Sequence, residues 1–171
     1  KLLGFEHAMK SGIGTCGIQV GDLQVAAIVA VNACGNVVDY ETNELLAGVY
    51  DSHSGSVLKA QDVLFQQMDA LRKLPEGNTT IGCIVTNAKL DKAQCTKIAG
   101  IAHNGYARAI HPVHTMSDGD SIFVLSSGEV EVMADAVGML ATEMMAKAIK
   151  RAVLHAESAY GLPAHSDVIC K

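Results

Sequence analysis

The sequence contains no tryptophan, and aromatic residues make up only 4% of it. Its core must therefore be built from Val, Ile, Leu, Ala and Met rather than around large rings. Basic clusters are also missing, and the formal net charge is -5 at pH 7. That balance argues against nucleic acid as a partner. The longest purely apolar run covers residues 25–31, far short of the roughly 20 residues a membrane-spanning helix needs. No signal-peptide pattern is present. Five cysteines (Cys16, Cys34, Cys83, Cys95 and Cys170) are odd in number and widely spaced, with no CxxC pair. This excludes a disulfide framework and a cysteine zinc site, and it points to a reducing, cytoplasmic-type compartment. The chain also opens without an initiator Met, and residues 1–5 look like the middle of an element, so an upstream segment is expected to be missing. What is present is one domain's worth of sequence: 171 residues, 49% hydrophobic and 18% charged. That is ample for a packed core and the opposite of a disordered composition.

Apolar runs of strand length alternate with helical spacing, which makes the chain α/β. Residues 24–33 read as a strand covered on both faces. The Gly35-Asn36 turn signal is followed by two apolar segments, 37–39 and 45–50, that suit a hairpin. Residues 58–74 carry helical spacing (Leu58, Val63, Met68, Leu71), ended by the breakers Pro75 to Asn78. Residues 79–86 form a second buried strand. Asp91 and Gln94 make an approximate capping box for a helix running to about Ala109. An irregular loop covers 112–120 and a strand 121–126. A final long helix spans 132 to about 160, with Met133, Val137, Leu140, Met144 and Ala148 on one face and Glu143 and Lys147 as an i, i+4 pair. No repeat, low-complexity tract or linker divides the chain.

Several patterns invite a chemical reading. Residues 12–17 spell GxGxxG, but a dinucleotide loop needs a strand before it and a helix after it, the reverse of this context. A structural glycine turn is the better reading. His111 and His114 flank Pro112, and no third ligand lies at useful spacing, so loop histidines are favoured over a metal site. Asp118-Gly119-Asp120 places two carboxylates just before a strand, an ordinary turn composition. Asn78-Thr79-Thr80 stands at a loop-to-strand junction. If the Asn78–Thr79 bond is cut, Thr79 gains a free α-amine beside its own hydroxyl. That amine has an ordinary pKa of about 7.7–8.0, so it can serve as general base near neutral pH.

Longer blocks carry a family resemblance. Residues 78–82 (Asn-Thr-Thr-Ile-Gly), 85–90, 92–95, 102–110 (from His103-Asn104-Gly105-Tyr106), 112–116 (Pro-Val-His-Thr-Met) and 118–123 (Asp-Gly-Asp-Ser-Ile-Phe) are similar to the DmpA-like L-aminopeptidase/D-esterases. That family includes the β-peptidyl aminopeptidases and the nylon-oligomer endo-hydrolase. Upstream, 9–15 and 31–35 agree, so the likeness covers nearly the whole chain. The resemblance implies an αββα sandwich of the type shared with ornithine acetyltransferase, and a precursor that cuts itself once to expose a Ser or Thr nucleophile. Carried across, the cut falls between Asn78 and Thr79, making 1–78 the end of an α subunit and 79–171 a β subunit. Thr79 is then the nucleophile, with Thr80 as the alternative. Asn32 aligns with an Asn whose amide helps hold the oxyanion. Asp118 and Asp120 align with the polar pair at the nucleophile's amine, and Lys1 falls near a family lysine. Thr79 with two aspartates looks closer to the nylon-oligomer hydrolase branch than to the branch with Ser.

The implied substrates are peptides, amino-acid amides or oligoamides, handled without organic cofactor or metal by a homo-oligomer of αβ units. Met133, Met139, Met144 and Met145 serve either as its interface or as core filler. Two other functions stay open: acyl transfer of the ornithine acetyltransferase kind, and a non-catalytic oligomeric α/β protein whose Asn78–Thr79 bond remains intact.

Overall fold

A computed structural model describes residues 1–68 and 77–169. The elements are β1 (Ile13–Val20), β2 (Leu23–Ala30), β3 (Asn36–Val38), β4 (Leu45–Ala47), β5 (Val49–Asp51), β6 (Ser56–Leu58), α1 (Ala60–Gln66), β7 (Ile81–Ala88), α2 (Lys92–Ala109), β8 (Ile110–His111), β9 (Ser121–Val130), α3 (Ala134–Leu154) and α4 (His165–Val168). The main sheet has the order β1-β2-β7-β9. Its first three strands are antiparallel neighbours, and β9 joins β7 in parallel, with Ile81 opposite Ser121. The expected hairpin forms as β3 and β4, and β8 pairs on the other side of β3.

Helices α2 and α3 pack on one another and cover one face of this sheet. The capping box at the start of α2 closes in both directions: Gln94 N donates to Asp91 Oδ1 at 2.8 Å, and Asp91 N to Gln94 Oε1 at 2.9 Å. Between helices and sheet lie the fully buried Val25, Val29, Ile84, Ile98, Tyr106, Met145 and Ile149. Burying each such aliphatic side chain contributes about 1.5–3 kcal/mol. Lys147 and Glu143 pair at 2.8 Å as their spacing predicts.

Several expectations are corrected. The GxGxxG string is not a turn: most of it lies in β1. Its glycine at 14 serves close packing, because a Cβ there would fall 2.0 Å from the Ala148 carbonyl oxygen of α3. The strand expected over 24–33 is covered on one face only among the described residues. Burial alternates along β2, and Ile28, Ile81, Val85, Phe123 and Leu125 stand exposed on the other face. The described residues thus supply one helix layer and one sheet of the expected sandwich. The open apolar face is the kind that meets a second sheet in such architectures. The strand expected from Thr79 begins two residues later, because the N–H groups of Thr79 and Thr80 go to the Asn32 carbonyl and the Asp120 carboxylate rather than to the sheet ladder. Helix α3 stops at Leu154, short of 160. Of the helix expected over 58–74, the described part is α1, which begins two residues late because Leu58 lies in β6; residues 69–76, with Leu71 and Pro75, lie outside the described residues, as does Cys170. No described helix is long and apolar enough to cross a membrane.

Candidate active site

The parallel pairing of β7 and β9 continues backward past both strands. Asn78 bridges to Asp118, Gly119 N donates to Asn78 O at 2.9 Å, and Ser121 N donates to Thr80 O at 3.1 Å. The two segments singled out in the sequence, 78–80 and 118–120, therefore lie side by side. The loop after β2 closes the group from the other side. Thr79 N donates to Asn32 O at 3.1 Å, Asn32 Nδ2 donates to Gly77 O at 3.0 Å, and Lys1 Nζ donates to Asn32 Oδ1. Lys1, Asn32, Asn78, Thr79, Asp118 and Asp120 are thus all brought together.

Thr79 is half-buried, and its Oγ1 donates to the carbonyl oxygen of Asn78 at 2.7 Å. Thr80 is fully buried, so its hydroxyl is closed to any substrate. The two aspartates differ. Asp120 is nearly enclosed, with its side chain 6% exposed, and its Oδ1 accepts from Thr80 N at 2.9 Å. Asp118 Oδ2 accepts from Thr115 N at 2.8 Å, which fixes the loop before β9. The carboxylates therefore hold backbone around Thr79, and the Asn32 amide is occupied by Gly77 O. Burial lowers the Lys1 ammonium below the ordinary lysine value, with Cys34 and Asp118 pulling the other way.

Three residues form the floor of the site: Tyr106 and His103, which the sequence offered only inside matching blocks, and His114, weighed there as a metal ligand and set aside as a loop histidine. Tyr106, fully buried on α2, donates toward Thr80 O at 3.2 Å and Ser121 O at 3.3 Å, so one phenol ties both strand starts together. Burial pushes this phenol's pKa up, with the Asp120 charge adding to the effect. His103 packs edge-on against Tyr106 at 5.2 Å and against His114 at 4.8 Å. His114 Nδ1 faces Asp120 Oδ2 at 3.2 Å. Burial holds His103 below the ordinary histidine value, helped by His114 and opposed by Asp120. The i, i+3 spacing of His103 and Tyr106 was a readable signal for a shared helix face; the pairing of His114 with Asp120 had none. His111 turns away, its Nε2 lying 3.1 Å from Ala107 O. Among the described residues no group of three or more His, Cys, Asp or Glu side chains is placed to hold a metal. A cavity of about 360 Å³ opens beside Asn32 and Lys1, walled by Met9, Val31, Val37 and Leu162.

Residues 5–166 match the model of Peptidase family S58. The chain belongs to this family. Among curated relatives, an uncharacterized aminopeptidase of Mycobacterium tuberculosis is 37% identical over 94% of this chain and 53% of its own length. A 6-aminohexanoate-oligomer endohydrolase of Paenarthrobacter ureafaciens is 30% identical over 83% of this chain and 44% of its own. The chain thus spans about half the length of the curated relatives it matches. Among solved structures, the L-aminopeptidase D-Ala-esterase/amidase of Ochrobactrum anthropi, described as a variant of the Ntn hydrolase fold, superposes with a TM-score of 0.61 at 16% identity, covering 96% of this chain and 48% of that one. A Burkholderia β-aminopeptidase gives 0.55 at 24% identity, over 86% and 42%. The S58 chain therefore has the mixed α/β fold of these structures, in agreement with the αββα sandwich that the family resemblance implied.

Proposed function

We propose that this chain is the core of a self-processing N-terminal-nucleophile amide hydrolase, cut between Asn78 and Thr79. Residues 1–78 end its α subunit and 79–171 form its β subunit. The observation that carries this reading is the 2.7 Å contact of Thr79 Oγ1 with the carbonyl of the very bond to be cut. After the cut, the new α-amine at Thr79 has the Asn32 carbonyl as an acceptor, which holds it beside its own hydroxyl. The amine takes the Oγ1 proton as Oγ1 attacks a substrate carbonyl, and returns it to the departing amine. Water then hydrolyses the Thr79 ester by the same route. Asp118 and Asp120 hold the ammonium form in place, while the Lys1 ammonium bonded to Asn32 orients its amide toward the developing oxyanion. The enclosure of Thr80 favours Thr79 over its neighbour as nucleophile.

Substrates in this reading are peptides, amino-acid amides or oligoamides, and the relatives named for aminopeptidase and oligoamide hydrolysis support that class. The working unit is a homo-oligomer of αβ pairs in a reducing, cytoplasmic-type setting. Met133 and Met139 are exposed and available to its interface, whereas Met144 and Met145 are core filler. The test is amine release from an amino-acid amide by the purified full-length gene product and its Thr79→Ala variant. The parent should release amine without an added acyl acceptor and Thr79→Ala should release none; activity in Thr79→Ala would overturn the assignment.

A further inference from the structure

Oxyanion stabilisation was assigned above to the Asn32 amide, yet that amide donates to Gly77 O, one carbonyl away from the bond to be cut. The Asn78 carbonyl oxygen has a different partner, Gly119 N at 2.9 Å, held there by the backbone bridge between Asn78 and Asp118. We infer that the Gly119 N–H is the oxyanion donor for self-cleavage, and that Asn32 serves turnover, the segment ending at Asn78 occupying its amide until the cut is made. This rests on the proposed cut between Asn78 and Thr79.

Self-cleavage forms a bond from Thr79 Oγ1 to the Asn78 carbonyl carbon and breaks the bond from that carbon to Thr79 N. The hydroxyl proton ends on that nitrogen, which becomes the free amine, and water then hydrolyses the resulting ester, leaving a carboxylate on Asn78 and restoring the Thr79 hydroxyl. While the tetrahedral centre exists, the Asn78 oxygen carries the negative charge. Its ground-state contact with Oγ1 is lost, because Oγ1 has become a substituent of the same carbon. The Gly119 N–H remains. Its 2.9 Å distance lies within the range useful for an oxyanion donor, and its attachment to the strand ladder means it need not reorganise as charge develops. Glycine at 119 also suits the crowding: a Cβ there would fall 2.7 Å from Thr79 Oγ1.

The test replaces Gly119 by glycolic acid in the full-length chain through nonsense suppression, exchanging the N–H for an ester oxygen without adding a side chain. Self-cleavage is followed by intact mass after synthesis. The control is the hydroxy-acid analogue of serine at 121, which removes the neighbouring ladder bond from Ser121 N to Thr80 O. The expected result is cleavage slowed about 100-fold at 119, the scale seen on removing one oxyanion donor, and within a few-fold of the parent at 121. Equal rates for the parent and the 119 ester would overturn the inference, as would equal slowing by both esters. An all-amide parent that is never cut would instead overturn the underlying proposal of self-processing.

Discussion

At the start of the parallel pair β7–β9 polar groups are buried against one another and not all satisfied, while at its far end the buried Thr86 hydroxyl donates to Gln24 O at 2.7 Å and the charged groups stand in water. Near the start, Asn78 and Thr80 are 1% and 0% exposed, and Asp120 is nearly enclosed. Backbone N–H groups there end on a carboxylate and a loop carbonyl; Thr80 Oγ1 lacks a hydrogen-bond partner among the described residues, and Asp120 Oδ2 faces His114 Nδ1 at 3.2 Å. At the far end the ladder loses register between Thr86 and Ala88, and Lys89 pairs with Glu131 at 2.6 Å with both side chains more than half exposed. Buried polar groups cost free energy unless they are satisfied, and an under-satisfied cluster calls for an explanation. The same two strands carry such a cluster at one end only, beside the residues proposed to react. The difference teaches that the ladder here is a scaffold for chemistry at one end and ordinary structure at the other.

The largest effect should come from removing the carboxylate at the near end. Asp120→Ala strands the buried Thr80 N–H, costing about 1–3 kcal/mol, and should slow cleavage and turnover together. Asp120→Asn keeps an acceptor for that N–H, so it should fold near normally and still slow one or both steps. Urea unfolding beside amide turnover separates the two. Asp120→Asn with full activity would contradict the role of its charge.

Next comes Tyr106→Phe. The phenol touches both strand starts, so its loss should cost about 0.5–1.5 kcal/mol and move Thr79 slightly out of line. The expected signature is a lower kcat with KM little changed.

A smaller effect lies in the pH dependence of stability. His103 is held neutral in the folded chain, below its ordinary value of about 6.5, chiefly by burial and also by His114, with Asp120 opposing. The unfolded chain therefore binds the proton first as pH falls. Stability should be complete above about pH 6.5 and decline below it, down to the folded value. His103→Gln should flatten that slope in urea titrations at pH 5 and 7.5.

The smallest effect belongs to the far end. Lys89→Ala breaks an exposed, solvent-screened pair, so stability should hardly change and cleavage should proceed at the parent rate. A loss of cleavage there would erase the contrast between the two ends.

Much of this was legible before any coordinates. Asp91 and Gln94 announced the start of α2, the Gly35-Asn36 signal marked the start of the β3–β4 pair, and every proposed site residue except Lys1 came from matching blocks that the fold draws together. Other features depend on tertiary context. Gly14 looks like a turn residue until α3 is seen to need its missing side chain. The start of β7 shifted because a carboxylate forty residues away, Asp120, captures the N–H of Thr80. The end of α3 was overread because 155–160 contains no proline; the helix closes instead on the backbone, with Ala156 N donating to Val153 O at 3.2 Å. The Gly119 donor could not be read at all, since a backbone N–H has no residue-type signature.

The central claim is that Asn78–Thr79 is a self-cleaved bond, and intact mass of the full-length gene product under denaturing conditions tests it most directly. The account predicts two chains, the second beginning at Thr79, with Thr79→Ala remaining whole. A single uncut parent chain after long incubation, or a cut at any other bond, would contradict it.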